Sequence, residues 1–258
     1  MATFRLTLEY DGTEFEGWQI QAGPSRTVQG CLLAALERIS GAAAAVSGAG
    51  RTDAGVHAEA QLASARLETG LSAEALQRAL NGILPSDLVV TRAEAAPDDF
   101  DARRAAHSKL YHYRVWNAAR RSPLRARYVH HVRQPLNVAA MRKAAAALLG
   151  EHDFSSFQAA GSSVKTSVRT LLRMEVIGQA GGDLRFEIEG TGFLRHMVRN
   201  IVGTLLEVGR GRREPDSIPA LLARRDRRAA GPTVPARGLC LEHVDTASER
   251  SDIPLEIR

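Results

Sequence analysis

Cysteine is scarce in this sequence. The 258-residue chain has two, Cys31 and Cys240, in no Cys-x-x-Cys spacing. That excludes a zinc ribbon or a dithiol redox centre and leaves two reduced, structural thiols. Long apolar runs are missing as well, since no window approaches the roughly 18 apolar residues of a membrane helix. Met1-Ala2-Thr3-Phe4-Arg5 opens without an apolar leader, so a cytoplasmic location is expected. No glycine is followed by Lys-Ser or Lys-Thr, which removes the phosphate-cradling P-loop. Metal-ligand clusters are lacking too. Asp53 and His57 stand at i and i+4, but no group of Cys or His completes a shell around them, and no metal is expected.

What is present is basic. Lysine and arginine number 34 against 29 acids, giving a net charge of +5 and a pI near 9.7, a balance that suits a polyanionic partner. Between Asp101 and Arg133 stand Arg103, Arg104, Lys109, Arg114, Arg120, Arg121, Arg125, Arg127 and Arg133, with Asp101 the single acid. Tyr111, Tyr113, Trp116 and Tyr128 interleave with them. Guanidinium groups beside aromatic faces suit phosphates and unstacked bases, so this run reads as an RNA footprint with Arg125 and Arg127 as phosphate contacts. A second run, Arg210 to Arg228, fits either RNA or a solvated face.

The densest chemistry lies in Gly48-Ala-Gly-Arg-Thr-Asp-Ala-Gly-Val-His-Ala58, where an acid, a base and an imidazole sit among three glycines. Glycine is favoured where the chain needs positive φ or lets a ligand approach the backbone, so the stretch reads as a shaped loop presenting Arg51, Asp53 and His57. Asp53 has no carboxylate neighbour in sequence and is the candidate nucleophile or anion. A guanidinium in reach would keep it ionised in a dry site. Arg51 is one candidate for that partner.

A 44% hydrophobic content is enough for one large domain or two small ones. Phe4 to Tyr10 alternates like a half-buried strand, and Thr27 to Ser40 carries apolar residues at helical spacing. Leu71 to Ile83 and Val138 to Leu149 read as helices. Leu88 to Ala93, Ser108 to Trp116, Leu171 to Ile177 and Leu184 to Glu189 read as strands. A helix is expected from Phe193, with Phe193, Met197, Ile201 and Leu205 along one side and Arg195 and Arg199 sharing another. Set among Met197, Val198, Ile201 and Val202, Arg199 reads as a partly buried guanidinium that calls for an anion, and Asp53 is a candidate for it. Strand-helix-strand order recurs on either side of Arg120 to Pro123, the best loop signal. The expected class is α+β, with an N-terminal lobe over 1–120, a C-terminal lobe over 121–246 and a tail over 247–258.

Gly50-Arg-Thr-Asp-Ala-Gly-Val-His-Ala58 resembles the signature loop of the TruA family, the bacterial tRNA pseudouridine synthases. Further blocks resemble that family in order and approximate spacing. They are Tyr10-Asp11-Gly12-Thr13, Gly17-Trp18-Gln19, Thr27-Val28-Gln29, Pro97 to Arg103, Lys109 to Tyr113, Gly150 to Phe157 and Phe193 to Gly203. The resemblance implies two similar lobes sharing a mostly antiparallel sheet with a cleft between them, and a homodimer. It implies an isomerase that converts uridine to pseudouridine at positions 38, 39 and 40 of the tRNA anticodon arm, with no cofactor. It further implies Asp53 as the catalytic carboxylate, Arg199 beside it, Tyr111 against the uracil, and Arg51 and His57 toward the RNA. Two departures stand out: Arg104, where relatives carry an aromatic or apolar residue, and Cys240, where a tyrosine is common in the closing strand. Two other readings of the residues stay open, an RNA-binding module without activity and a carboxylate hydrolase with a second acid beside Asp53. Whether Asp53 attacks C1′ or acts through a glycal is also open.

Overall fold

The computed structural model describes residues 1–159, 161 and 165–246; the tail from Ala247 lies outside the described residues. The chain divides into two compact units, Met1–His107 with Leu241 onward, and Ser108–Cys240.

The first unit begins with β1 (Ala2–Tyr10), in which Phe4, Leu6, Leu8 and Tyr10 are buried at every second position, the period of a strand with one covered face. Helix α1 (Val28–Ser40) starts where the Thr27 hydroxyl accepts the Gly30 N–H and stops at Gly41, whose φ is 68°; both are ordinary helix-end chemistry. β2 (Ala45–Gly48) and β3 (His57–Leu67) flank the Asp53 loop, followed by α2 (Ala73–Asn81), β4 (Leu88–Ala96) and the single turn α3 (Ala102–Ala105). The Ser72 hydroxyl caps α2.

The second unit contains most of β5 (Ala106–Asn117), then β6 (His130–Val132), α4 (Val138–Ala146), β7 (Gly150–Asp153), β8 (Val168–Gly178), β9 (Asp183–Gly190), α5 (Met197–Gly209) and α6 (Ile218–Arg224). The last strand, β10 (Leu239–Thr246), returns the chain to the first unit.

In the first unit the strand order is β4-β1-β3-β10, with β2 pairing β3. β1 is antiparallel to both neighbours, Leu6 lying opposite Ala63 on one side and Ala93 on the other. In the second unit the order is β5-β9-β8-β7, antiparallel throughout, and β6 joins β5 in parallel. Each unit is therefore a mostly antiparallel sheet with helices, the α+β class expected. No helix among the described residues is long and apolar enough to cross a membrane.

One element departs from expectation. The helix expected from Phe193 begins at Met197, because His196 takes a left-handed conformation with φ 60° and supplies no side-chain cap. The Met197 N–H instead closes a turn on the Leu194 carbonyl, and the Arg195 carbonyl accepts the Ala159 N–H. Arg195 thus lies before the helix and does not share a helical face with Arg199. A non-glycine residue at positive φ costs about 1–3 kcal/mol and persists where its surroundings fix it.

Candidate active site

In the first unit, Arg51 and Asp53 lie on the loop between β2 and β3, and His57 opens β3. Arg51 is exposed, Asp53 half-buried and His57 only 6% exposed. The loop is held chiefly by main chain. The Val56 N–H closes a turn on the Asp53 carbonyl at 3.1 Å, and the Thr52 carbonyl accepts the Trp18 N–H at 3.0 Å. The Gly55 N–H reaches the Phe15 carbonyl at 3.2 Å. Side chains complete the support. The Thr52 hydroxyl meets the Tyr10 hydroxyl at 2.9 Å, and Gln61 Nε2 donates to the Gly50 carbonyl at 2.9 Å.

Two glycines outside the loop allow this approach. A Cβ on Gly12 would lie 2.0 Å from the Val56 carbonyl oxygen. One on Gly17 would lie 2.8 Å from the Thr52 oxygen, at a φ of +97° that side chains rarely tolerate. His57 fastens the same segment, its Nδ1 accepting the Gly12 N–H at 3.0 Å beside the Asp11 carboxylate. Within the loop, Gly55 has the positive φ its type suggests, 76°, whereas Gly48 is a strand residue against the Trp18 indole.

In the second unit, Tyr111 lies on β5, 6% exposed, with its ring edge-on to Phe193 at 5.2 Å between centroids. Tyr113, two residues along the strand, is fully buried and donates to the Pro235 carbonyl at 2.8 Å. Burial pushes its phenol pKa well up, so it is a packed hydrogen-bond donor. Arg199 lies in the first turns of α5, half-buried as its neighbours suggested, with Nε donating to the Val234 carbonyl at 2.8 Å.

Beside it, the fully buried Asn200 donates to the Phe157 carbonyl and accepts from Arg227 and Thr233, which anchors the start of α5. Arg125 and Arg127 follow β5. The Arg125 guanidinium stands 4.5 Å over the Trp116 ring and pairs with Asp183, and Arg127 is exposed.

Sequence reasoning singled out the loop but not its supports. Tyr10, Gly12 and Gly17 carry their role in contacts some 40 residues away, and only their motif blocks mark them. Chemically, the first unit presents a carboxylate on a braced turn beside an exposed guanidinium. The second presents an aromatic ring and a backbone-held arginine.

The class to which these features belong follows from kinship with known proteins. The family model described as tRNA pseudouridine synthase matches residues 7–103 and 144–246. The chain belongs to that family; it is an isomerase acting on tRNA. It is similar to tRNA pseudouridine synthase A of Myxococcus xanthus, 49% identical over 245 residues, covering 95% of this chain and 92% of the relative. The protein of the same name from Moorella thermoacetica is 47% identical, covering 95% and 100%. That from Geobacillus kaustophilus is 47% identical, covering 93% of each.

Proposed function

We propose that this enzyme converts uridine to pseudouridine at positions 38, 39 and 40 in the tRNA anticodon arm, with Asp53 as the nucleophile. The observation that carries the reading is the Asp53 loop, whose main chain is fixed on both sides of the carboxylate by Trp18, Phe15 and the Gly12–His57 contact. A carboxylate that must meet a ribose carbon gains from such preorganisation, since well-oriented reacting groups recover much of the barrier as entropy already spent.

The reaction balances without an oxidant or reductant. The N1–C1′ bond breaks, the uracil turns, and C5 bonds to C1′; the C5 proton leaves and N1 gains one. No cofactor or metal is therefore required. Asp53 either attacks C1′ or takes the C2′ proton to give a glycal. Arg199 stabilises the carboxylate, and Tyr111 stacks on the uracil. Arg51, Arg125 and Arg127 bind the RNA, while His57 serves substrate binding by holding the Gly12 N–H and so the loop. The target nucleotide leaves its stack at a cost of a few kcal/mol, which the basic and aromatic surface offsets. The resemblance in the motif blocks supports a homodimer gripping the anticodon arm, in the cytoplasm.

The test uses wild type and Asp53→Asn with unmodified tRNA and no added cofactor, mapping pseudouridine by carbodiimide labelling and primer extension. Stops at anticodon-arm uridines with wild type alone, while both proteins bind tRNA, are the expected result. Normal turnover by Asp53→Asn would sink the nucleophile assignment.

A further inference from the structure

Asp87 and Arg26 are 61 positions apart in sequence and lie outside every loop considered so far. Asp87 occupies the turn before β4, where the Leu88 N–H closes on the Pro85 carbonyl. Its carboxylate takes both arms of the Arg26 guanidinium, Oδ2 from Nη1 at 2.9 Å and Oδ1 from Nη2 at 2.7 Å. Paired forks of this kind fix direction as well as distance. The Asp87 carbonyl also accepts the Asp11 N–H at 3.1 Å. One residue thus grips the chain at Asp11 and again at Arg26.

Those two grips bound the segment that carries the Asp53 loop. Between them lie Gly12, Phe15, Gly17 and Trp18, the residues that meet Val56, Gly55 and Thr52. Arg26 adds a second hold, its guanidinium 4.1 Å over the Phe15 ring, and Phe15 supplies the carbonyl for the Gly55 N–H. The Arg26 carbonyl in turn accepts the Glu16 N–H at 2.8 Å. The path from Asp87 to the loop therefore runs through Arg26, Phe15 and Gly55.

We infer that the Asp87–Arg26 pair is a positioning clamp for catalysis, setting where the Asp53 loop stands without meeting the substrate. This rests on Asp53 being the nucleophile. Both side chains are partly solvated, 38% and 25% exposed, and a pair in that setting adds little to global stability. Its effect falls on geometry, where small displacements of a reacting group are costly.

The test compares Asp87→Asn, Arg26→Lys and the charge-exchanged double variant Arg26→Asp/Asp87→Arg with wild type, and runs Asp53→Asn beside them. Single-turnover rates at saturating tRNA should fall about tenfold in both single variants, with tRNA affinity within about twofold, and recover in part in the double variant. Amide exchange gives a readout independent of turnover: the Gly55 and Trp18 amides should exchange about tenfold faster in Asp87→Asn, with Leu6 and Ala63 in the β1–β3 ladder unchanged. Unchanged exchange at Gly55 and Trp18 overturns the clamp. Faster exchange at full turnover, with Asp53→Asn inactive, overturns its role in positioning. A fully active Asp53→Asn with those amides still loosened by Asp87→Asn faults the nucleophile assignment instead. Uniform loss of protection in both single variants reduces the pair to a fold requirement and also overturns the proposal.

Discussion

Two arginine-rich stretches of the second unit look alike in sequence and end in different places. From Arg114 to Arg133 the arginines are mostly exposed residues, Arg114, Arg120, Arg121, Arg127 and Arg133 among them, while Arg125 is drawn to Asp183 and the Trp116 ring. From Arg210 to Arg228 most have partners within the protein, although Arg212, Arg224, Arg225 and Arg228 stay exposed. Arg210 and Arg212 pair with Glu207, Arg213 donates to the Ala229 carbonyl, Arg225 pairs with Asp153 and Arg228 with Asp226. Arg227 donates to Asn200, Gly231 and Thr233 and, among the described residues, pairs with no carboxylate. Charge density does not by itself report a nucleic-acid surface. What matters is whether carbonyls and carboxylates of the same unit have already claimed the donors.

The sharpest way to break this comparison is Arg227→Ala. It leaves the Asn200 amide and the Gly231 carbonyl short of a donor, and should cost about 1–3 kcal/mol, seen as a lower urea midpoint. The salt slope of tRNA affinity should stay put. The converse variant, Arg120→Ala/Arg121→Ala/Arg127→Ala, should leave the midpoint within error and flatten the slope of log affinity against log salt by about 0.7–0.9 for each lost phosphate contact. An unchanged slope would remove these arginines from the RNA surface.

Arg125→Ala should sit between them, with a smaller slope change because Asp183 already holds the guanidinium, and titration of binding against salt reads it directly. A separate effect concerns pH. Burial first, then Arg237, Arg210 and His131, depress the His130 imidazole to about 4. The unfolded chain binds that proton between its ordinary value near 6.5 and 4, so folding stability is present above 6.5 and declines as pH falls through this window. Melting curves should show the decline in wild type and a shallower one in His130→Gln.

Amphipathic elements were legible because one face of each is covered. β1, α1, α2, β4, β5, α4, β8 and β9 all follow their periodicity, with ends moved by a few residues. β3 was not legible. Its residues from Gln61 to Ala65 are all buried, including a glutamine and three small side chains, so no alternation of polar and apolar marks it. The start of α5 was misjudged for a related reason: Phe193 has helical spacing with Met197, but the left-handed His196 interrupts the backbone. Glycines around an acid marked the Asp53 loop, and the partial burial of Arg199 was legible from its apolar neighbours. The supports of the loop were not, because the Tyr10 hydroxyl meets a partner 42 positions away, and the main-chain hydrogen bonds of Phe15 and Trp18 between distant segments depend on no particular side chain.

That last point has a consequence for how the enzyme can change over evolutionary time. A loop seated on the peptide groups of the segment between β1 and α1 tolerates drift in the exposed side chains around it, such as Glu14 and Glu16, while an added methyl at Gly12 or Gly17 would collide with it. The surface can therefore be rewritten while the Asp53 carboxylate keeps its place, so that the exterior and the seat of the loop form separately heritable parts of one small fold.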